Sequence, residues 1–421
     1  MRAVESWDQV SIGGLVNLIN GFAFPSKGFT EGEGIPLIRI RDLERQKTEV
    51  NFRGKYNDRY LVKRDDLLIG MDGDFLTVKW KGNDALLNQR LCKLITKNPE
   101  SLVQDFLFYR IIEEILRIHR ITAATTVKHL SSKDVLGIEI DLPPKHEQTK
   151  IAEILSTVDR AIEQTEVLIA KQQRIKTGLM HDLLTRGIDK HGNLRSEQTH
   201  RFKDSPLGRI PVEWEVEKWS HVCSKIQDGT HFSPRTDSSA EFKYVTSKNI
   251  KFGFLDLSDV EYIDKRQHDE IYKRCDVCHG DVLLTKDGAN TGNSAINFLK
   301  EEFSLLSSVA LIRPLENKLT SMFLLQTILS ENGQQLIKDA MSGLAITRVT
   351  LEIINNFLIK IPPIKEQKSI GQFLALQDER IKLDAKKLAK LRSLKIALMQ
   401  DLLTGKKRVT ALLNDMEVAS L

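Results

Sequence analysis

The chain has no apolar run that approaches a membrane span. Its first residues, Met1–Arg2–Ala3–Val4–Glu5–Ser6–Trp7, carry no stretch of signal-peptide length. Only four cysteines occur in 421 residues, at uneven spacing. That argues against a disulfide framework and for reduced thiols, so a soluble cytoplasmic protein is expected. No Gly-x-x-x-x-Gly-Lys-Ser/Thr phosphate loop is present; Gly288–Ala289–Asn290–Thr291–Gly292–Asn293–Ser294 is rich in glycine but has no lysine, and reads as a turn. Cys275–Asp276–Val277–Cys278–His279, with His221 and Cys223 upstream, has the spacing of one thiolate pair. A second pair is missing, so no metal site is expected. Neither charge sign dominates: the net charge is +5 and the pI about 8.8. This mild excess is compatible with nucleic acid without requiring it.

Proline is scarce in a patterned way. None occurs in the 41 residues after Pro143–Pro144 or after Pro362–Pro363. Proline sits well just before a helix and badly inside one, so each pair opens a long helix. The two stretches are copies. Residues 143–185 and 362–404 align at a constant offset of 219 without a gap, with 17 identities in 43 positions. Both begin Pro-Pro-x-x-Glu-Gln and both end Leu-Met-x-Asp-Leu-Leu-Thr. Such a self-match is a tandem duplication.

Each copy carries a heptad seam. In the first it runs through Ile151, Leu155, Val158, Ile162, Thr165, Ile169, Gln172, Lys176, Leu179 and Leu183. In the second it runs through Ile370, Leu374, Gln377, Ile381, Asp384, Leu388, Leu391, Lys395, Leu398 and Leu402. Seven of ten are apolar in each, enough for a coiled-coil stripe. Each helix should be about 55–60 Å long. Neither can bury its stripe alone, and the simplest partner is the other copy.

The segments before each helix resemble one another loosely. Trp7 opens one and Trp214 the other. Ile35–Leu43 reads as a strand with alternating basic residues, matched by Phe242–Ile250. Leu67–Asp74 reads as a buried strand running into a glycine turn, and Gly280–Gly288 matches Asp65–Gly73 closely. Helices are expected at Leu102–His119 and Ser321–Met341, and short strands at 136–142 and 357–361. Arg186–Val212 is polar and reads as a linker. The expected order is globule 1–142, helix 143–187, linker 188–212, globule 213–361, helix 362–408 and tail 409–421. The fold class is α+β: two pseudo-repeated α/β globules separated by two long antiparallel coiled-coil helices.

This arrangement, with Asp204–Ser205–Pro206–Leu207–Gly208–Arg209–Ile210–Pro211–Val212–Glu213–Trp214 before the second globule, resembles the specificity subunit of type I restriction–modification systems. The likeness covers essentially the whole chain, although the first globule lacks the full Gly-x-Ile-Pro-x-x-Trp lead-in. The resemblance implies two target-recognition domains, each reading half of a bipartite site on double-stranded DNA. It implies helices that dock two modification subunits, which bear S-adenosylmethionine and methylate adenine. Restriction subunits can join, and ATP and Mg are expected there. The chain itself is expected to hold no cofactor and do no chemistry. In keeping with that, no Asn/Asp-Pro-Pro-aromatic motif is present, and Asp141–Leu142–Pro143–Pro144 is out of order for it.

Candidate DNA contacts are polar and basic residues near glycine turns. In the first globule these are Arg39, Arg41, Lys79, Lys81, Asn83, Asn88, Gln89, Arg90, Thr125, Thr126 and Lys128. In the second they are Lys243, Ser247, Lys248, Asn249, Lys286, Asn290, Asn293, Ser307, Ser308, Thr347 and Arg348. Arginine and lysine can pair with guanine edges, asparagine and glutamine with adenine, and any of them with phosphate. For each residue alone a solvated surface is an equal reading. The repeated placement of Thr125–Lys128 and Ile346–Val349, after the helix and before the last strand, raises the set. Residues 365–408 hold twelve Lys/Arg against five Asp/Glu, which fits either phosphate contact or a solubilising face. Two other classes stay open: an enzyme with an unfamiliar site, and a coiled-coil adaptor with no DNA role.

Overall fold

A computed structural model describes residues 7–122, 128–341 and 348–410. The chain forms two compact units, Met1–Glu166 with Lys387–Leu421, and Val167–Lys386. Each unit thus takes one globule and part of both long helices, Lys145–Thr185 and Ile364–Leu402. Among the described residues no helix is long and apolar enough to cross a membrane.

In the first unit, strand Asp8–Ser11 pairs antiparallel with Glu139–Leu142, Asp8 opposite Leu142. The globule's two ends therefore lie side by side, and the closing strand hands the chain straight to Pro143. A four-stranded sheet follows the order Val16–Asn20, Leu91–Thr96, Leu67–Gly70, Thr77–Lys79. All four residues of Leu67–Gly70 are buried, as an unbroken apolar run requires. A second sheet orders Phe29–Thr30, Val50–Phe52, Ile35–Ile38, Ala85–Leu87 and Leu61–Val62, with Ile35–Ile38 parallel to Ala85–Leu87. Helix Gln104–Ile121 sets Phe106, Leu107, Ile111 and Ile115 into a core with Ile69 and Leu94. Ile151 and Leu155 of the first long helix, and Leu402 and Leu403 at the end of the second, complete that core.

The second unit repeats the plan. Glu215–Lys218 pairs with Leu358–Ile361. Its four-stranded sheet has the same order: Cys223–Asp228, Val309–Pro314, Val282–Thr285, Ser294–Ile296. The small sheet keeps the parallel pair, Phe242–Val245 beside Ser304–Leu305. Its core takes Ile370 and Leu374 from the second long helix and Met180, Leu183 and Leu184 from the first.

The duplicated Pro-Pro-x-x-Glu-Gln has a direct structural meaning. Gln148 accepts the Val103 N–H at 2.8 Å and donates to Ser101 O and Pro143 O. Gln367 accepts the Thr320 N–H at 2.9 Å and donates to Lys318 O and Pro362 O. Each buried amide ties the helix start to the loop before the globule's own helix. Glu147 takes the Arg408 guanidinium, and Glu366 takes Arg195 in a bidentate pair at 2.5 and 3.0 Å.

Within each unit the long helices run antiparallel. Asp159 meets Lys395 at 2.6 Å and Glu166 meets Arg392 at 2.7 Å in the first. Gln172 meets Asp384 at 3.0 Å and Lys176 meets Asp378 at 2.5 Å in the second. The polar seam positions Gln172, Lys176, Asp384 and Lys395 therefore have partners on the opposite helix, which fixes register. Every apolar seam residue, Ile151 to Leu183 and Ile370 to Leu402, is buried or half-buried.

Five expectations change. The strand at Phe242–Ile250 stops at Val245, because the Asn249 side-chain oxygen accepts the Thr246 N–H at 3.0 Å and turns the chain. The strand at Ile35–Leu43 stops at Ile38, because the Asp42 carboxylate accepts the Arg39 N–H at 2.8 Å and turns the chain into a short helix, Asp42–Arg45. Arg39 and Arg41 are therefore not strand residues. The helix at Ser321–Met341 is two, Ser321–Leu329 and Glu331–Met341. Ser330 is extended between them, and its hydroxyl bonds Thr327 O and the Gly333 N–H. The strand at 136–142 begins only at Glu139, after a short helix Ser132–Leu136 started by a Ser131/Asp134 capping box. The segment 188–212 is packed as well as polar: Arg195 is buried, and Phe202–Lys203 pairs with Ile210–Pro211.

Candidate nucleic-acid interface

In each globule four chain segments meet at one end of the four-stranded sheet, and their backbone bonds match one for one. In the first, Phe22 N–H donates to Leu87 O and Gln89 N–H to Phe22 O; Met71 N–H donates to Arg90 O and Leu130 N–H to Met71 O. In the second, Thr230 N–H donates to Leu305 O and Ser307 N–H to Thr230 O; Lys286 N–H donates to Ser308 O and Val349 N–H to Lys286 O. All eight lie between 2.7 and 3.0 Å. The short bridges Asp72–His129 and Asp287–Arg348 also correspond. The frame needs glycine at its tightest point. A Cβ on Gly21 would lie 1.9 Å from Asn88 O, and one on Gly229 would lie 1.9 Å from Leu305 O.

On this shared frame the side chains differ. In the first globule Asp72 forms an ion pair with Arg90 Nη1 at 2.9 Å and a hydrogen bond with His129 Nδ1 at 2.6 Å. In the second, buried Asp228 faces His231 at 3.2 Å, Arg274 at 3.0 Å and Lys286 at 3.3 Å. One buried carboxylate thus gathers three basic side chains, of which Lys286 is itself buried and Arg274 also donates to Asp228 O and Gly229 O.

The predicted contact residues divide. Gln89, Arg90 and Lys128 come together in the first frame, where the Lys128 ammonium donates to His119 O at 2.6 Å, and Lys286, Ser307 and Arg348 in the second, with Asn88 and Ser308 beside them. Asn290 and Asn293 lie in the glycine turn after Asp287; Asn290 is exposed, while Asn293 donates to Ile250 O. Others are taken by the protein. Arg39 pairs with Glu49, Lys79 with Asp105, Lys81 with Glu163 and Lys243 with Glu301. Asn83 lends its carbonyl to the Trp80 indole. Lys248 sits between Glu261 and Asp259, and its hydrogen bond to Glu261 holds the ammonium above the usual lysine range. Asn249 is buried and closes its own turn through Thr246, Asp256 and Asp259. Arg41 is exposed and Ser247 half-buried, both outside the frame. Thr125, Thr126 and Thr347 lie outside the described residues. Cys275 is buried and burial pushes its thiol up to about 12, while Cys278 is exposed.

Sequence reasoning missed Asp72, His129, Asp228, His231 and Arg274. A signal existed: Asn20–Gly21 and Asp228–Gly229 stand at the same place after the first sheet strand, and aligning the globules on them brings the loops into view.

Comparison with known proteins agrees with the doubled plan. The type I restriction modification DNA specificity domain matches residues 4–171 and 211–393. The chain is 29% identical over 376 residues to the EcoBI type I restriction enzyme specificity subunit of Escherichia coli, covering 87% of this chain and 78% of that one. It is 27% identical over 416 residues to the MjaVIII specificity subunit of Methanocaldococcus jannaschii, covering 97% and 95%. The fold is similar to the crystal structure of a type I restriction–modification S subunit from M. genitalium, with a TM-score of 0.63 at 16% identity over 96% and 97% of the two chains. With both globules matched, the chain belongs to the family of type I restriction–modification DNA specificity subunits.

Proposed function

We propose that this chain is the non-catalytic DNA reader and scaffold of a type I restriction–modification complex. The observation that supports this best is the repeated loop frame carrying different side chains, which suits two readers of two different half-sites. Residues 1–142 and 213–361 are the recognition domains, and residues 143–187 and 362–408 the spacer helices. The helices dock two modification subunits, which hold S-adenosylmethionine and methylate adenine; restriction subunits bring ATP and Mg. A solved chain of similar fold, TM-score 0.50 at 17% identity, comes from work on complex assembly and conformational transition of the type I R-M system. Adenine-methylation mapping with and without the gene tests the proposal. Loss of one gapped, bipartite motif is the expected result, and unchanged methylation after adding active modification subunits would refute it.

The helix pair also sets the spacer. Four residues added to each long helix lengthen it by about 6 Å. That equals roughly two base pairs at 3.4 Å each. The methylated motif should gain about two spacer positions and keep both half-sites. Methylation at the original spacing would sink the ruler.

A further inference from the structure

We propose that Arg90 reads a guanine in the half-site bound by the first globule, and that Asp72 positions it for that contact. The proposal rests on the reading that the globules read DNA, and names one reading group and its target.

Several basic side chains elsewhere in this globule serve the protein. Arg39 is 18% exposed and Lys79 17%, each closed by a carboxylate. Arg90 is 65% exposed, yet it is held in place by Asp72, whose side chain is only 15% exposed. Asp72 is itself fixed, through His129 on its other oxygen and through the backbone bridge to the same residue. The ion pair uses Nη1 alone. Among the described residues the other donors of Arg90 have no protein partner. The free Nε–Nη2 edge is the one that can bond O6 and N7 of guanine together, the commonest specific contact to a base. Fixing the guanidinium beforehand removes part of its ordering cost on binding.

Two further observations converge. Arg90 has φ 71°, a left-handed conformation unfavourable for a residue with a Cβ, at the point where its carbonyl joins the frame. The matching position in the second globule is Ser308, whose carbonyl makes the same bond at 2.9 Å. The frame therefore forms without arginine. A side chain needed only for folding would be needed in both copies.

The test maps adenine methylation by the full complex, with its modification subunits, for the unsubstituted chain, Arg90→Gly, Arg90→Lys and Asp72→Asn. Glycine accepts φ 71°, so Arg90→Gly keeps the turn. The unsubstituted complex should require a guanine at one position of one half-site. Arg90→Gly should relax that position alone, with discrimination falling roughly tenfold to a hundredfold, and leave the other half-site unchanged. Arg90→Lys should relax it too, because an ammonium does not make the paired bonds of a guanidinium. Asp72→Asn should give a smaller loss at the same position. An unchanged motif in Arg90→Gly would overturn the proposal, as would uniform weakening at all sequences that lysine restores, which marks a phosphate contact. An unsubstituted complex with no gapped motif would overturn the functional reading and this proposal with it.

Discussion

Gly229→Ala should destabilise the second unit by about 3 kcal/mol or more, the upper end for forced overpacking. The added methyl would sit 1.9 Å from Leu305 O and 2.2 Å from Leu305 C. Those are backbone atoms of a strand paired with Phe242–Val245, so no side chain can rotate away. The loop must move, and with it the Thr230 N–H bond to Leu305 O and the Ser307 N–H bond to Thr230 O. For a unit of this size the unfolding midpoint should fall by roughly 6–12 °C. Gly21→Ala should act alike in the first unit, where Asn88 O stands at 1.9 Å. Gly178→Ala is the control. It lies inside the first long helix with nothing within 4 Å of its would-be Cβ, and alanine should stabilise it by about 1 kcal/mol. If Gly229→Ala melts like the parent, the loop frame is looser than described. The frame would then not hold reading groups in place.

The parts of the fold legible in the sequence are those whose causes are local. Pro143–Pro144 and Pro362–Pro363 mark helix starts because proline acts on its own neighbours, and the seams follow from helical spacing. Leu67–Gly70 and Val282–Thr285 are legible because an unbroken apolar run between turns has few places other than a sheet interior. What failed locally was decided by single side-chain bonds. Asp42 ends a strand that alternation alone would continue to Leu43, and Ser330 breaks a helix whose apolar spacing runs on to Met341. Both residues compete with the backbone for hydrogen bonds, and neither says in the sequence whether it will win.

The site was half legible for a different reason. Whether a lysine or arginine is available to DNA depends on which carboxylate reaches it, and those partners are distant in the chain. Lys79 is taken by Asp105 and Lys81 by Glu163 of the long helix. Residue type placed Arg90, Lys286 and Arg348 among the candidates. Asp72 and His129, 57 residues apart, have no meaning until the post-helix segment returns to the glycine turn. Aligning the two globules recovers part of this, because a duplicated frame shows its fixed points twice.

Glu366→Ala should be among the most damaging side-chain truncations in the second unit. The carboxylate receives four donors: two from Arg195, the Trp214 indole N–H at 3.2 Å and the Ile188 N–H at 2.9 Å. Removing it leaves a guanidinium that is 6% exposed without its counter-charge, which costs about 3–5 kcal/mol. Glu366 also lies in the first turn of its helix, where the N-terminal dipole favours a negative group. The site is closely packed: a Cβ on Gly187, at φ 63°, would lie 2.1 Å from Glu366 Oε1 and 2.3 Å from Trp214 Cζ2. Arg195→Ala should cost less, because the carboxylate keeps Trp214 and Ile188. The double variant should lose less than the two single losses combined, as expected for groups that share one interaction. Thermal unfolding of the four full-length chains measures the cycle. Losses that simply add would mean that Glu366 and Arg195 act independently. The repeated Pro-Pro-x-x-Glu-Gln would then mark helix starts without clamping each long helix to the segment that follows the other.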